Sequence, residues 1–590
     1  MNRTLAHLLG LAVIALLLGG CASGVHSTKI DPNRPLDPVN GVVAIQVVNN
    51  AERLSGYNAN WTTVNVIRLD TIEARKEEAR QKLIAKGQSV PADDKLEWYP
   101  DTYPLVADER GLKDSRIFVG TIPEGAYMVA SLRSYYYDGN VTSTISMPVW
   151  NVAGRFKVDK GRFTDLGTLL FQPLLNIKTD SFWGAQHRQR AYVTRTSNSF
   201  ELTPVVRQMH PQLDSVINFD RLLTWDPDPI DSFRREVAQI SLDNLYGTEF
   251  FALEHQAAGV LPTRLGRVRV IDKAGEWSQI QLPTQSQILA AIDTPGQILF
   301  GGERGLLFSA DSISGEWSIS QPVNFSYAIT WLGRYDGHFL ALAQNGESYE
   351  LYRFRNADSE WQLMQKLQVG NALFGATGGV FPVVYGETLR LISDGENWDY
   401  DKARQSWVKS KGSKLMRIKQ LDSRILVGLM ASTASLAGSQ VVSFDDGTTW
   451  SLVSRKLMSA DKGAVLSLPA IRHDGNLRTI SRKAPKTDRV ELGNNSLLRE
   501  DTNKLQFVTV NSRQTENNKA WVYRGQVDRE CASILPEISY ERRIYLLCDN
   551  GGIVFTDDLG ATWNADIVID ISSLQRTFDN LVKKVTQPGI

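Results

Sequence analysis

The sequence predicts an all-β protein in which an N-terminal β-sandwich precedes a C-terminal β-propeller of about seven blades, with six or eight blades as the tolerated range. Two observations lead to this prediction. Apolar residues between 42 and 173 mostly alternate with polar ones or form short β-branched runs, as is typical of strands. From Tyr246 onward, tryptophans recur after short loops at intervals of roughly 40 to 60 residues, the repeat length of propeller blades.

Composition excludes several classes of function. The chain has 590 residues with 65 Lys and Arg against 65 Asp and Glu, so no net charge draws it to nucleic acid. Only 7 His and 3 Cys are present, and the histidines are scattered without the spacing of a metal site. We therefore expect no nucleic-acid partner, no metal and no cofactor.

Residues 1–20 have the pattern of a secretory signal peptide. Arg3 precedes an apolar run over 8–18, which is shorter than the roughly 20 residues that a membrane-spanning helix needs. The stretch Leu18-Gly19-Gly20-Cys21 resembles the lipobox of bacterial lipoproteins. The resemblance implies that Cys21 is the mature N-terminus and carries acyl chains, palmitate among them, that anchor the protein to a membrane. Ala22 points to the outer membrane, and whether the protein faces the periplasm or the cell surface stays open.

The domain boundaries follow changes in pattern. Residues 21–40 are rich in Ser, Pro, Asn and Asp and predict a flexible tether. The predicted segments that follow are a β-sandwich over 41–175 with a solvated helix inserted at 71–86, a helix and loop connector over 176–244, the propeller over 245–572, and a C-terminal tail over 573–590. The stretch 123–127, Pro-Glu-Gly-Ala-Tyr, resembles the hairpin of transthyretin-like sandwiches, although Pro and Gly favour turns in any β protein.

The propeller prediction rests on one repeated sequence motif, which consists of a strand and a small loop that ends in an aromatic residue. Phe507 takes the equivalent place in a long gap of the repeat. The tryptophans that end these loops are Trp277, Trp317, Trp361, Trp407, Trp450 and Trp563.

Two of the loops match a longer motif, Ser/Thr-x-Asp-x-Gly-x-Thr-Trp. The matching residues are Ser443, Asp445, Gly447 and Trp450 in one loop and Thr556, Asp558, Gly560 and Trp563 in the other. The motif resembles the Asp-box, or bacterial neuraminidase (BNR) repeat, of sialidases, sortilin-like receptors and photosystem assembly-factor propellers. The resemblance implies a structural role for these residues, in which the hydroxyl and carboxylate satisfy loop amides and the Trp packs between blades.

Cys531 and Cys548 flank a strand, turn and strand pattern. Adjacent antiparallel strands could bring the two thiols together, and export would allow a disulfide to persist. We expect a disulfide rather than two free buried thiols.

No catalytic motif emerges from the sequence. A sialidase would need an arginine cluster, a Tyr nucleophile with a Glu partner and an Asp acid/base. The family's Phe/Tyr-Arg-Ile/Leu-Pro motif is missing, since Thr263-Arg264-Leu265-Gly266 lacks both ends. The sequence favours a non-catalytic, lipid-anchored envelope scaffold that binds a protein partner through its propeller, with glycan binding or glycoside hydrolysis as the alternative.

Overall fold

The structure, a computed structural model, describes most of the chain. The described residues are 24–31, 33, 36–37, 39–50, 60–108, 115–137, 142–149, 153–181, 184–196, 202–247, 249–370, 379–420, 426–430, 439–455, 487–492, 495–501, 507–514, 522–528, 531, 533–535, 537–539, 543–548 and 551–586. The predicted signal peptide and Cys21 lie outside them. The described residues form two compact units: an N-terminal unit within Met1–Asn49, Tyr57–Ser241 and Ser572–Ile590, and a propeller unit within Asn50–Gly56 and Leu242–Ile571.

The described strands of the N-terminal unit form one mixed sheet of ten strands. They are β1 Asn40–Asn49, β2 Trp61–Arg68, β3 Thr102–Ala107, β4 Ser115–Pro123, β5 Gly125–Tyr137, β6 Thr142–Pro148, β7 Arg155–Val158, β8 Arg162–Ser181, β9 Gly184–Thr196 and β10 Asn218–Leu223. The order is β10-β8-β1-β4-β3-β2-β5-β6, with β7 paired to β5 and β9 paired to β8. Four α-helices lie in the described residues: α1 Ile72–Ala85, α2 Leu202–Met209, α3 Asp231–Asp243 and α4 Ile571–Thr586.

This sheet corrects the predicted two-layer sandwich, although the all-β class is confirmed. Trp225, just after β10, forms an isolated bridge with Phe156 on β7, so the sheet curls into a half-barrel whose distant strands approach each other. Alternation in the sequence shows which side chains point inward, and it is the same for two stacked sheets and for one curled sheet. The parallel pairing of β1 with β8 joins segments that are distant in sequence, so a local sequence pattern does not predict it.

The core of the half-barrel lies on both faces of β1, which is buried along almost its whole length. One face packs against α2, where Val42 and Phe163 of the sheet contact Leu202 and Val206 of the helix. The inserted helix α1 buries none of its residues and is held by surface ion pairs such as Lys82 with Glu78, as the charge pattern predicts.

Three predicted segments differ in the structure. Residues 24–31 lie along β3 instead of forming a flexible tether, because Thr102 donates from its backbone N–H to the carbonyl of Gly24. The predicted connector supplies β9, β10, α2 and α3 to the N-terminal unit. The predicted tail forms α4, where Phe578 stacks on Tyr192 of β9 with ring centroids 4.7 Å apart. Leu574, Phe578 and Leu581 recur at helical spacing, so the sequence carried a signal for α4 that the prediction of a tail did not use.

The propeller unit is built from consecutive four-stranded antiparallel sheets, and seven are present in the described ranges. Sheet 1 comprises β11 Phe251–Ala252, β12 Gly259–Pro262, β13 Arg267–Ile271 and β14 Trp277–Gln281; sheet 2 comprises β15 Ile288–Thr294, β16 Gln297–Gly302, β17 Leu307–Ala310 and β18 Ser318–Ser320; sheet 3 comprises β19 Ala328–Tyr335, β20 His338–Asn345, β21 Ser348–Phe354 and β22 Gln362–Gln368. Sheet 4 comprises β23 Val380–Tyr385, β24 Thr388–Ser393, β25 Glu396–Asp401 and β26 Ser406–Lys411; sheet 5 comprises β27 Leu415–Gln420, β28 Leu426–Met430, β29 Ser439–Ser443 and β30 Ser451–Arg455. Sheet 6 comprises β31 Thr487–Leu492, β32 Asn495–Asp501, β33 Phe507–Gln514 and β34 Val522–Asp528; sheet 7 comprises β35 Ser533–Ile534, β36 Ile544–Leu547, β37 Ile553–Thr556 and β38 Asn564–Ile567.

In the described residues, apolar seams join each of sheets 1 to 4 to the next sheet, sheet 6 to sheet 7, and the last sheet to the first. At this closing seam, Leu261 and Ile271 of sheet 1 share a buried cluster with Tyr545 and Ile553 of sheet 7. The first strands of sheets 1 to 5 contact one another in turn, so they line the inside of the ring and the fourth strands lie at its outer edge. The predicted propeller fold is confirmed by this arrangement.

Candidate functional site

The two loops that match the Asp-box motif have the same hydrogen-bond pattern. In the first loop the Ser443 hydroxyl donates to Asp445 Oδ1 (2.8 Å) and accepts the backbone N–H of Gly447 (2.8 Å). The carboxylate of Asp445 accepts the N–H (2.8 Å) and the hydroxyl (2.6 Å) of Thr449. The loop end is closed by the indole N–H of Trp450, which donates to the Gly447 carbonyl.

The second loop repeats the bonds of the hydroxyl and the carboxylate, whereas the indole N–H of Trp563 has no acceptor among the described residues. Thr556 Oγ1 donates to Asp558 Oδ1 (2.7 Å) and accepts the N–H of Gly560 (2.9 Å), while Asp558 accepts the N–H and the hydroxyl of Thr562. Partial burial opposes the charge on Asp558, but these donors lower its pKa to about 2. Gly560 adopts a φ of 95°, which is costly for other residue types. The hydroxyl and the carboxylate of each motif are thus used inside their own loop, which is consistent with a structural role for the motif.

The tryptophans that end the loops lie at the seams between sheets. Each one packs against the cluster formed by its own sheet and the preceding sheet. Trp317 stacks on Phe300 (centroids 4.7 Å apart), and Trp361 stacks on Phe354 (4.1 Å). Trp277, Trp407, Trp450 and Trp563 occupy the corresponding seams.

One assignment in this repeat is wrong. Phe507 begins β33, the third strand of sheet 6, whereas each of the six tryptophans lies within one residue of the start of a fourth strand. In the sequence the residue before the fourth strand β34 is Trp521, which the repeat search missed. A long stretch between sheets 5 and 6 displaces Trp521 from the expected interval, and fixed spacing therefore selected Phe507.

We expect that Trp450→Ala and Trp563→Ala each lower the free energy of unfolding by about 2 to 3 kcal/mol, because each indole is half-buried and fills a seam. Urea unfolding of the purified protein measures the effect. Leu452→Ala is the matched control, since Leu452 is 52% exposed in the strand that follows Trp450 and should change stability by less than about 0.5 kcal/mol. A loss below about 1 kcal/mol for both tryptophans would contradict their role at the seams.

Cys531 and Cys548 are joined by a disulfide bond. Both residues are buried in the cluster that also holds Ile544, Leu546 and the indole of Trp563. The bond therefore links the segment before β35 to the end of β36 inside the same seam that the second motif loop closes, which is a structural position.

A buried arginine joins the first and last sheets. Arg269, on β13, donates from Nη1 to the carbonyl of Gly551 and from Nη2 to the carbonyl of Leu245, each at 2.9 Å. The side chain is withdrawn from solvent, and burial lowers its pKa to about 10. Sequence reasoning did not identify this residue, because its two acceptors are backbone groups and one lies 282 residues away.

A second polar cluster lies at the seam of sheets 2 and 3. Glu350, on β21, accepts hydrogen bonds from the hydroxyls of Tyr327 (3.0 Å) and Tyr352 (2.5 Å), and from the ammonium of Lys366 (2.7 Å). Burial raises the pKa of Glu350, but the three donors outweigh it and hold the pKa below its ordinary value. A Tyr next to a Glu is one element of sialidase chemistry, so this cluster is the strongest candidate in the described residues for a catalytic group.

The outer strands carry large apolar side chains that face solvent. Ile319 on β18, Leu363 on β22, Val408 on β26 and Leu452 on β30 are 46%, 49%, 49% and 52% exposed. They occur on four consecutive sheets, one on each outer strand. Such strands also have a free edge, so backbone N–H and C=O groups are available to an added strand. This outer rim is the candidate surface for binding another protein.

Other classes of site have little support in the described part of the chain. No group of three or more His, Cys, Asp or Glu there is placed to hold a metal ion. None of the helices in those ranges combines the length and apolar character needed to cross a bilayer.

Comparison with known proteins adds little. No protein-family model and no curated protein sequence matches the chain. Among solved structures, the chain is similar to BamB from Moraxella catarrhalis, at 16% identity over 52% of this chain and 79% of that one with a TM-score of 0.27. It is similar to YCF48 bound to D1 peptide at 12% identity over 49% and 84% (TM-score 0.31), and to the Myceliophteria thermophila Cps50 (Swd1) β-propeller domain at 10% identity over 53% and 97% (TM-score 0.32). At these values the similarities carry no argument about function.

Proposed function

We propose that the protein is a non-catalytic scaffold of the bacterial cell envelope, anchored through lipid on Cys21, whose propeller binds a protein partner along an outer strand. The observation that carries the partner-binding part is the exposed edge of β22. The lipid anchor is supported by the lipobox resemblance of Leu18-Gly19-Gly20-Cys21. The outer membrane is its proposed location.

The β22 strand, Gln362–Gln368, has the features of an edge that accepts another strand. It is seven residues long and contains no proline. Leu363 is 49% exposed on it. Its one charged residue, Lys366, donates to Glu350 of the neighbouring strand, so that the ammonium is directed toward its own sheet.

The outer strand of the next sheet is protected by contrast. Lys409 and Lys411 lie on one face of β26, and Lys411 makes no ion pair among the described residues. Lysines on an edge strand discourage the pairing of a further strand, because an incoming backbone would bury or crowd the charge. The two strands carry equally exposed aliphatic residues, Leu363 and Val408, and differ in this protection.

We expect that Leu363→Lys weakens binding of the partner by at least about tenfold, because it removes an apolar contact and places a second lysine on the docking edge. The partner is first identified by photo-crosslinking from position 363 in the native envelope. Binding of the purified partner to the purified protein is then titrated. Val408→Lys is the matched control and should leave the affinity within about twofold. Equal losses for the two variants, or no loss for either, would contradict docking at β22.

The alternative function is glycan binding or sialidase-like hydrolysis, and the pair Tyr352 and Glu350 is the observation that favours it. Two features weigh against a catalytic role. Burial and the hydrogen bond to Glu350 raise the pKa of Tyr352, so the phenol resists loss of its proton. The carboxylate of Glu350 is already engaged by Lys366 and Tyr327. Turnover of a glycan panel by the purified protein, abolished in Glu350→Gln, would establish the alternative.

A further inference from the structure

The N-terminal segment is attached to the half-barrel from its first described residues. Thr102 donates its N–H to the carbonyl of Gly24 (2.5 Å), and His26 donates its N–H to the carbonyl of Thr102 (2.9 Å). The ring of His26 stacks on Tyr103 with centroids 4.7 Å apart, and its Nε2 lies 2.8 Å from Asp101 Oδ1. Farther along, Thr121 donates its N–H to the carbonyl of Thr28 (2.9 Å). The segment therefore docks against β3 and β4.

This docking leaves little free chain between the proposed lipid and the folded unit. Cys21 precedes Gly24 by three residues, and three extended residues span about 10 Å at most. A lipid on Cys21 would therefore hold the half-barrel directly at the membrane surface, where a longer flexible tether would let it move away.

The segment docks at one end of the half-barrel, which we call the anchor end. The residues at the anchor end are connected by backbone hydrogen bonds. The N–H of Arg68 donates to the carbonyl of Asp101 (2.9 Å), that of Glu124 to the carbonyl of Val39 (3.1 Å), and that of Gly161 to the carbonyl of Asn40 (3.0 Å). The guanidinium of Arg68 also donates to the carbonyl of Glu124 (2.9 Å), and Asn218 donates its N–H to the carbonyl of Gly161 (2.9 Å).

Large apolar and aromatic side chains point to solvent at this end. Tyr99 is 69% exposed, Val25 59%, Val39 51% and Val216 48%. Each is placed there by its neighbours. Val25 forms a β-bridge with Thr102. The backbone carbonyl of Tyr99 lies beside Gly24, 3.8 Å from the position that a Cβ would take on this glycine. The backbone carbonyl of Val216 lies beside Gly161, 3.6 Å from the corresponding position. Among the described residues of the N-terminal unit, half of the exposed large hydrophobic side chains thus belong to one rim.

We propose that the anchor end lies on the lipid bilayer and that Val25, Val39, Tyr99 and Val216 enter its interfacial region. The proposal rests on the proposed acylation of Cys21. The short reach from Cys21 identifies the bilayer as the occupant of this surface. Tyrosine suits the position because its ring is apolar while its hydroxyl stays in contact with water and headgroups. Valine side chains bury only a few methyl groups each, so the surface orients the protein and the acyl chains supply the affinity.

The test uses the full-length lipidated protein in vesicles of phosphatidylethanolamine and phosphatidylglycerol. Tyr99→Cys is labelled with an environment-sensitive fluorophore, and Val216→Cys provides a second position on the same rim. The native thiols do not compete, because Cys531 and Cys548 form a disulfide and Cys21 is acylated. The matched control is Tyr135→Cys, which is 49% exposed near the far end of β5, ten residues beyond Gly125 at the anchor end.

The expected result is that spin-labelled lipid quenches the fluorophores at 99 and 216 and that aqueous iodide does not, while position 135 behaves in the opposite way. In the Cys21→Ala variant, aqueous iodide should quench the fluorophore at position 99. If mass spectrometry finds no acyl chains on the protein, the proposed anchor fails and the membrane contact fails with it. If the protein is acylated but iodide still reaches position 99, the anchor stands and the membrane contact is wrong. Protection from iodide without quenching by lipid would show that another protein covers this end, which also overturns the proposal.

Discussion

Replacing Arg269 by Met should lower the free energy of unfolding of the propeller unit by about 2 to 6 kcal/mol, about 1 to 3 kcal/mol for each buried carbonyl left without a donor. The guanidinium is buried and provides both hydrogen-bond donors for the carbonyls of Gly551 and Leu245. A methionine fills similar space but donates nothing, so two buried acceptors lose their charged partner. This contact joins the last sheet to the first beside the apolar closing seam, so its loss should weaken the closure of the ring.

Urea unfolding gives the size of this effect, and hydrogen exchange locates it. Exchange should increase first in β12 and β37, the strands that meet at the closing seam. Arg269→Lys should have an intermediate effect, since an ammonium lacks the planar fork that reaches two carbonyls at once. Arg404→Met, at an arginine whose side chain is 79% exposed, is the control and should change stability by less than about 0.5 kcal/mol. If Arg269→Met matched this control, closure would depend on the apolar seam alone.

Replacing Asp101 by Ala should cost about 2 to 4 kcal/mol and release the N-terminal segment from the half-barrel. Asp101 is 4% exposed. Its carboxylate accepts from Arg75 Nε (3.0 Å) and Nη2 (2.5 Å), from the Thr71 hydroxyl (2.8 Å) and from His26. One side chain therefore holds both the start of α1 and the segment that follows Cys21.

The same cluster predicts a dependence of stability on pH. Burial raises the pKa of Asp101, but hydrogen bonds from Arg75, His26 and Thr71 outweigh it and hold the pKa well below its usual range. A carboxyl whose pKa is depressed in the folded state contributes stability above its unfolded pKa of about 3.9, and this contribution is lost as the pH falls toward the folded value. Stability of the N-terminal unit should therefore decrease below about pH 4, with a smaller slope in Asp101→Asn.

Limited proteolysis reports release of the segment directly, because a released segment is cleaved within residues 24–31. The control is Asp93→Asn, because Asp93 is 63% exposed and pairs with Arg80 at the surface. It should leave both the proteolysis pattern and the low-pH slope unchanged. Continued protection of residues 24–31 in Asp101→Ala would mean that the backbone hydrogen bonds of Gly24 and His26 suffice to hold the segment.

Local sequence patterns were sufficient to predict the all-β class and the propeller. The reason is that each of these features is built from residues close together in the chain. The bonds of Ser443, Asp445 and Thr449 span at most four residues, and a four-stranded antiparallel sheet forms from consecutive strands. The recurring Trp was also visible, because each seam needs one large aromatic residue at the same point of each repeat.

Only the tertiary structure decided how distant segments meet. The curling of the N-terminal strands into one sheet depends on pairing such as that of Trp225 with Phe156, and the closure of the ring depends on Arg269 and Gly551, which lie 282 residues apart. The docking of residues 24–31 combines backbone hydrogen bonds to β3 and β4 with the hydrogen bond between His26 and Asp101, which lie 75 residues apart. A buried arginine or aspartate has the same letter as an exposed one in the sequence. Its role is set by burial and by backbone acceptors or donors, which carry no sequence signal of their own.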